Sequence, residues 1–204
     1  IRRDVKYSVS KVKDKAFFGK DILHVAVWKK GDERTVYNAI YLDGKSKVSY
    51  VKRFIVKSIT RDREYHITQG YANSKITYLT VNPNGEAEKV QVLLRQLAKL
   101  KKLKIDLDFA DIAIKGRASK GNIVTKFPVK RIELKEKGES TLEARKVWFD
   151  HTVQRLNSDE RGRLLGSFKG EDRLLIGLKN GTLKVVVPEL SLHFDADMIY
   201  LEKL

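Results

Sequence analysis

The stretch KGRASKGNIVTKFPV, Lys115 to Val129, decides how the rest of the chain is read. Its first half is a turn that sets Arg117 and Lys120 between Gly116 and Gly121. Its second half, Asn122 to Val129, alternates apolar and polar residues, which predicts an exposed strand. Glycine lets main-chain N–H groups come close to phosphate oxygens, so a basic, glycine-bracketed turn feeding a strand suits a grip on a phosphate backbone. An earlier stretch, GKSKVSYVKRFIV from Gly44 to Val56, is a looser copy. In both, a basic turn runs into an apolar pair, then a Lys-containing pair, then Phe. These two segments are the expected working surface.

Working outward, the chain reads as short strands. Ile1 to Lys20 starts with alternating Val5, Tyr7 and Val9 and is expected to continue a strand and connector from preceding sequence. Asp21 to Trp28 (DILHVAVW) is rich in β-branched and aromatic residues and predicts a strand. Lys30-Gly31-Asp32 turns it into Thr35 to Leu42, and Asp43-Gly44 turns again into Val48 to Val56, a β-meander. Lys75 to Val81 restarts the pattern, Asn82-Pro83-Asn84-Gly85 is a strong turn signal, and Glu88 to Leu94 follows. The interval from Gly31 to Gly85 fits a repeat of about fifty residues, the period of propeller-like arrays.

Arg95 to Lys104 (RQLAKLKKLK) has two readings. Leu97, Leu100 and Leu103 recur at a spacing that suits a basic amphipathic helix, whereas alternation on both sides favours two strands with an extended basic connector. The second is preferred, because it explains why the second basic turn arrives late. Further on, Lys130 to Leu134 continues the strand and Glu136 to Glu143 reads as a polar loop. Val147 to Phe149, Val153 to Leu156 and Leu164 to Phe168 read as strands. Arg173 to Leu178 and Leu183 to Val187 form a hairpin around Asn180-Gly181. Leu190, Leu192 and Phe194 alternate, and Met198 to Leu201 is a last strand. The expected fold is all-β, with approximate repeats over 20–72, 73–143 and 144–204 and residues 1–19 continuing from upstream.

The chain has 204 residues, 42 Lys and Arg against 26 Asp and Glu, and a formal net charge of +16. A surplus of that size implies a polyanionic partner. Nucleic acid fits better than a membrane surface, because neither a convincing membrane-binding basic helix nor a lipid anchor is evident. With 42% hydrophobic residues the chain has the material for a core. The absence of cysteine excludes disulfides and thiolate metal sites and fits a reducing cytoplasm. No run has the length and apolarity of a transmembrane helix, and no signal peptide is visible. An Ile1 start and a single methionine, Met198, suggest a piece of a longer chain.

The candidate nucleic-acid-contacting residues come in sets. Lys45, Lys47, Lys52 and Arg53 form the first; Lys115, Arg117, Lys120, Lys126, Lys130 and Arg131 form the second. Lys184 is expected to serve a third repeat, and Lys99, Lys101, Lys102 and Lys104 to extend the surface. No segment reads as a base-recognition helix, so weak sequence preference and steep salt dependence are expected. Gly116 to Gly121 has P-loop glycine spacing but lacks the following Lys-Ser/Thr and leads into a strand, so no ATP site is expected. Asp106, Asp108 and Asp111 lack the glycine and glutamate of a calcium loop, and His24, His66, His151 and His193 are scattered without ligand spacing. No metal or cofactor is expected in this chain.

The central stretch resembles the signature box of the C-terminal domain found in the A-type polypeptides of DNA gyrase and of its paralogue, topoisomerase IV. That box reads glutamine, two arginines, two glycines, a basic residue and glycine. Lys115-Gly116-Arg117-Ala118-Ser119-Lys120-Gly121 keeps the second arginine, the basic sixth position and the closing glycine. Ala118 and Ser119 replace the paired glycines, and Lys115 and Gly116 depart from the first two positions. KDILHVAVWKKGDERTVYN, SITRDREY, AIKGRASKGN and GEDRLLIGLKNG also resemble this family. The resemblance implies a β-pinwheel of four-stranded blades, with duplex DNA bent around a basic rim. It implies partners as well: double-stranded DNA, the rest of the A-type polypeptide, and the ATPase B-type polypeptide of a holoenzyme that uses ATP and magnesium. The family's nucleophile is a tyrosine preceded by arginine, and no tyrosine here follows arginine, so this chain is expected to be catalytically silent. The rival from another class is a propeller that docks an acidic protein on the same basic surface.

Overall fold

The computed structural model describes residues 6–8, 22–28, 32–60, 63–98, 100–190 and 192–204. The chain divides into two compact units, Ile1–Thr141 and Leu142–Leu204. Both are built of short strands; among the described residues there is no α-helix and a single 3-10 turn, Phe109–Asp111. The fold class is therefore all-β, made of small, mainly antiparallel sheets of the kind from which a pinwheel is assembled.

In the first unit, β1 (Lys6–Ser8) is followed by a hairpin of β2 (Val36–Leu42) and β3 (Ser49–Ile55). The short β4 (Glu64–His66) pairs with β1, and β5 (Lys75–Asn82) lies on the free edge of β2. Beyond the Asn82–Gly85 turn run β6 (Glu86–Leu94) and β7 (Lys104–Asp108), an antiparallel pair. Two short strands then complete the other edge of β3: β8 (Ile114–Gly116) in parallel and β9 (Asn122–Thr125) antiparallel. The long β10 (Val129–Ser140) pairs with β6, so β10-β6-β7 forms a second sheet.

The hairpin β2–β3 is the centre of this unit, since it is flanked by strands on both edges and covered on both faces. Alternation sends Tyr50 and Phe54 to one side, with Tyr41, Ile67 and Ile76. It sends Val51 to the other, with Ile40, Val90, Val92 and Phe109. A strand buried on both faces reads as a continuous apolar run, because neither parity reaches water. Fully burying one such side chain contributes about 1.5–3 kcal/mol.

The second unit holds two three-stranded sheets. One is β11 (Arg145–Asp150) between β12 (Arg155–Asn157) and β13 (Arg163–Phe168). The other is β14 (Leu174–Leu178) between β15 (Leu183–Val186) and β16 (Met198–Lys203). Its own core includes Val147, Phe149, Phe168, Leu174, Phe194 and Leu201.

Several expectations are corrected. Residues 23–28 form no strand: β2 already has β3 and β5 on its edges, Val25 and Val27 stay exposed, and the Trp28 indole donates to the Val56 carbonyl (3.0 Å). The turn at Lys30-Gly31 lies outside the described residues, as does most of Ile1 to Lys20. The expected loop from Glu136 onward is strand up to Ser140, because β10 follows β6 through successive bulges. Gly138 makes this possible: a Cβ there would lie 1.9 Å from the Ala87 carbonyl. Of Val153 to Leu156, the first part is turn, and the described residues from Leu190 to Phe194 form no strand, His193 making an isolated bridge with Arg155. Between β6 and β7 the described residues are neither strand nor helix; Leu100 N–H donates to the Leu97 carbonyl (2.9 Å) in a turn, and Leu94 N–H donates to the Leu103 carbonyl (2.8 Å).

Candidate nucleic-acid interface

The first basic turn, Asp43 to Val48, is organised by a carboxylate. Asp43 Oδ1 accepts from Lys45 N (3.1 Å), Ser46 N (2.7 Å) and Ser46 Oγ (2.8 Å). Burial pushes the Asp43 carboxyl upward, but those bonds and the charge of Lys120 outweigh it and hold it below its ordinary value. Lys45 and Lys47 are exposed, Lys47 with a left-handed backbone (φ 57°). The Lys45 ammonium sits 5.3 Å from the Tyr71 ring centroid.

The second basic turn is closed by Ser119 N–H donating to the Gly116 carbonyl (3.0 Å). Gly121 ends it at φ +87°, where a Cβ would lie 2.2 Å from the Val51 carbonyl, so the turn presses directly on β3. The Tyr41 hydroxyl donates to the Lys120 carbonyl (2.6 Å). Arg117 Nη1 donates to the Ser58 carbonyl (2.8 Å), and its guanidinium lies over the Tyr65 ring at 4.1 Å. The Tyr65 hydroxyl in turn accepts from Thr60 N–H (3.0 Å). The Lys120 ammonium lies over Tyr50 at 4.9 Å. Three cations on the two turns thus each rest on a tyrosine face, a contact worth about 0.5–1 kcal/mol at exposed sites.

The turns are neighbours. Tyr50, under Lys120, stacks on Tyr41 near the β2–β3 turn. The end of β9 pairs with the start of β3, Thr125 opposite Ser49, which brings exposed Lys126 to the same edge. Lys115 is exposed at the end of β8; Lys130 and Arg131 are exposed at the start of β10, with Arg131 paired to Glu133 at 2.8 Å. Lys184 is exposed on β15 in the other unit.

Lys52 and Arg53 are corrected. Both lie in β3, 1% and 2% exposed, and neither is available at the surface. Lys52 Nζ donates to the carbonyls of Ile67 (2.5 Å), Arg117 (2.6 Å) and Ser119 (2.8 Å). Arg53, on the opposite parity, donates to Asn38 Oδ1 (3.0 Å), to the carbonyls of Gly85 (2.8 Å) and Phe109 (3.3 Å), and to Thr141 Oγ1 (3.0 Å). Asn38 passes a hydrogen bond on to Glu88 (2.8 Å). The physical reason is the position of β3: each side chain of a doubly covered strand must enter a core, charged or not.

Sequence reasoning missed the tyrosines. Tyr50, Tyr65 and Tyr71 lie near basic residues in the chain, but Arg117 and Lys120 reach Tyr65 and Tyr50 only through the tertiary fold. The Lys-Arg pair inside the apolar run SYVKRFIV was the available signal of buried cations. Of the carboxylates considered for metal, Asp106 accepts from Gln91 (2.7 Å), and Asp108 caps Ala110 N–H (2.8 Å). Among the described residues no group of three or more His, Asp or Glu side chains is arranged to hold a metal ion. No helix there is long and apolar enough to cross a membrane.

The fold and the site define a basic all-β domain in which three cations lie over tyrosine rings. More specifically, the sequence profile of the topoisomerase C-terminal domain of Bacteroidota matches residues 1–137 and 155–204, and the chain belongs to that family. No curated protein matches it.

Proposed function

We propose that this chain is the non-catalytic DNA-binding and DNA-wrapping domain of the A-type polypeptide of a type IIA topoisomerase, acting in the cytoplasm beside an ATPase B-type polypeptide. It bends duplex DNA over its basic turns, to wrap or to present the segment that the holoenzyme transports; ATP and magnesium serve the holoenzyme elsewhere. The observation that carries this reading is the convergence of Lys45, Lys47, Arg117, Lys120 and Lys126 on neighbouring turns of one edge, three of them over tyrosine rings. Lys115, Lys130, Arg131 and Lys184 extend the phosphate-contacting set. Membership in the topoisomerase family supports the choice of DNA as the polyanion.

Bending a duplex sharply over 20–30 bp costs several kcal/mol, on the order of 1–6 by elastic estimates. Phosphate contacts spread along an arc offset it, each releasing counterions, so affinity should fall steeply with salt. A salt titration with a mixed-sequence duplex and, in parallel, an acidic polypeptide tests the reading. Arg117→Glu with Lys120→Glu should abolish duplex binding while leaving the circular dichroism spectrum intact. Preference for the polypeptide would replace DNA with a protein partner. Ligation of nicked circles with the chain bound then separates the two uses: a trapped positive linking change marks gyrase-like wrapping, and little change marks presentation of a transported segment.

A further inference from the structure

We propose that Lys52 is the positioning residue of the second basic turn: its ammonium draws the Arg117 and Ser119 carbonyls inward and so holds the Arg117 and Lys120 side chains ready for phosphate. The inference rests on the DNA reading above. An ammonium has three N–H donors, and here each has one carbonyl, two from a single four-residue turn and one from Ile67 beyond β4. The cation collects carbonyl oxygens whose partial negative charge would otherwise oppose a phosphate.

The rest of the turn is fastened to the same β2–β3 hairpin. Gly121 packs 2.9 Å from Lys52 Cβ, as judged by the Cβ it lacks, and Tyr41 holds the Lys120 carbonyl. The ring of Phe54, two residues along β3, lies 5.0 Å from the ammonium. The charged and titratable groups on the elements packed around Lys52 are Arg53 and Lys115, which line the adjoining small cavity, Arg117 and Lys120 on the turn, and Tyr41 and Tyr65. Burial lowers the Lys52 pKa to about 8. Loss of its proton would leave two donors for three carbonyls.

Trypsin reads the turn directly, because it cuts after Arg117 and Lys120 wherever that backbone is free to adapt. Cleavage there should be about tenfold faster in Lys52→Met than in the parent chain at pH 7, each rate divided by that of a free peptide spanning 113–124. Duplex affinity should fall about tenfold in the same variant. In an Arg117→Ala, Lys120→Ala background, Lys52→Met should weaken the duplex no further; a general loss of stability would weaken binding in both backgrounds. Unchanged cleavage, or an equal loss of affinity in both backgrounds, overturns the proposal. Should Lys52→Met fail to fold, the parent chain is followed from pH 7 to 9.5. Peptide-normalised cleavage after Arg117 and Lys120 should rise as pH passes about 8, and a flat profile overturns the proposal. A parent chain that binds no duplex sinks the DNA reading and the phosphate half of this proposal, while cleavage still decides whether Lys52 orders the turn.

Discussion

Arg53 and Lys52 show how one charged side chain can brace a fold and its neighbour a loop. Arg53 gathers acceptors from Asn38, Gly85, Phe109 and Thr141 with a planar fork that lysine lacks. Removing it leaves several buried acceptors without donors and Glu88 without its nearby cation. Arg53→Met should therefore lower the unfolding free energy by about 3–5 kcal/mol in urea, with Arg53→Lys recovering only a small part. Lys52 carries a pH signature with a definite sign. Its folded pKa of about 8 lies below its ordinary 10.5, so between those pH values the unfolded chain holds more protons. The charge therefore costs stability below pH 8, and the cost is relieved as pH rises toward 10.5. Stability relative to Lys52→Met should rise by on the order of 3 kcal/mol from pH 7 to pH 10 in urea titrations at the two pH values. At Gly121 the positive φ and the Val51 carbonyl leave no space for a methyl group; Gly121→Ala should cost about 2 kcal/mol or more and move the basic turn off β3.

At the scale of the element, strands behave according to their coverage. β2 and β3 are paired on both edges and covered on both faces, so their amides should exchange slowest in the first unit. β15 is an edge strand with Leu183 and Val185 exposed, and its amides should exchange fastest among the longer hairpins. A hydrogen-exchange map with equal protection in the two regions would contradict this assignment. The same coverage explains which elements were legible in the sequence. The strands β2, β3, β5, β6 and β14 announce themselves by alternation or by apolar runs between turn residues. The run DILHVAVW has the composition of a strand, yet residues 23–28 pair with none, since composition cannot say whether a sheet edge is vacant. The polar tail of β10 fails in the opposite sense. KEKGES has few apolar residues to pattern, and it is strand because β6 offers a ladder and Gly138 fits against Ala87.

Across the whole molecule, each unit has its own core, which predicts independent responses to core damage. Leu174→Ala, at a fully buried position of the second unit, should cost that unit about 2–5 kcal/mol. Amide protection in β2 and β3 should stay unchanged; a parallel loss there would show that the units unfold as one. The net charge of +16, the all-β class and the two basic turns are properties of composition and short-range pattern, and the sequence by itself determined them, because turn chemistry and alternation act over a few residues. Which cations face outward was decided by tertiary structure alone. Lys45 and Lys52 are equally basic in the chain, but one lies at a hairpin tip over Tyr71 and the other in a strand enclosed on both sides. Enclosure depends on strands contributed from residues far away in sequence, and no local pattern carries that information.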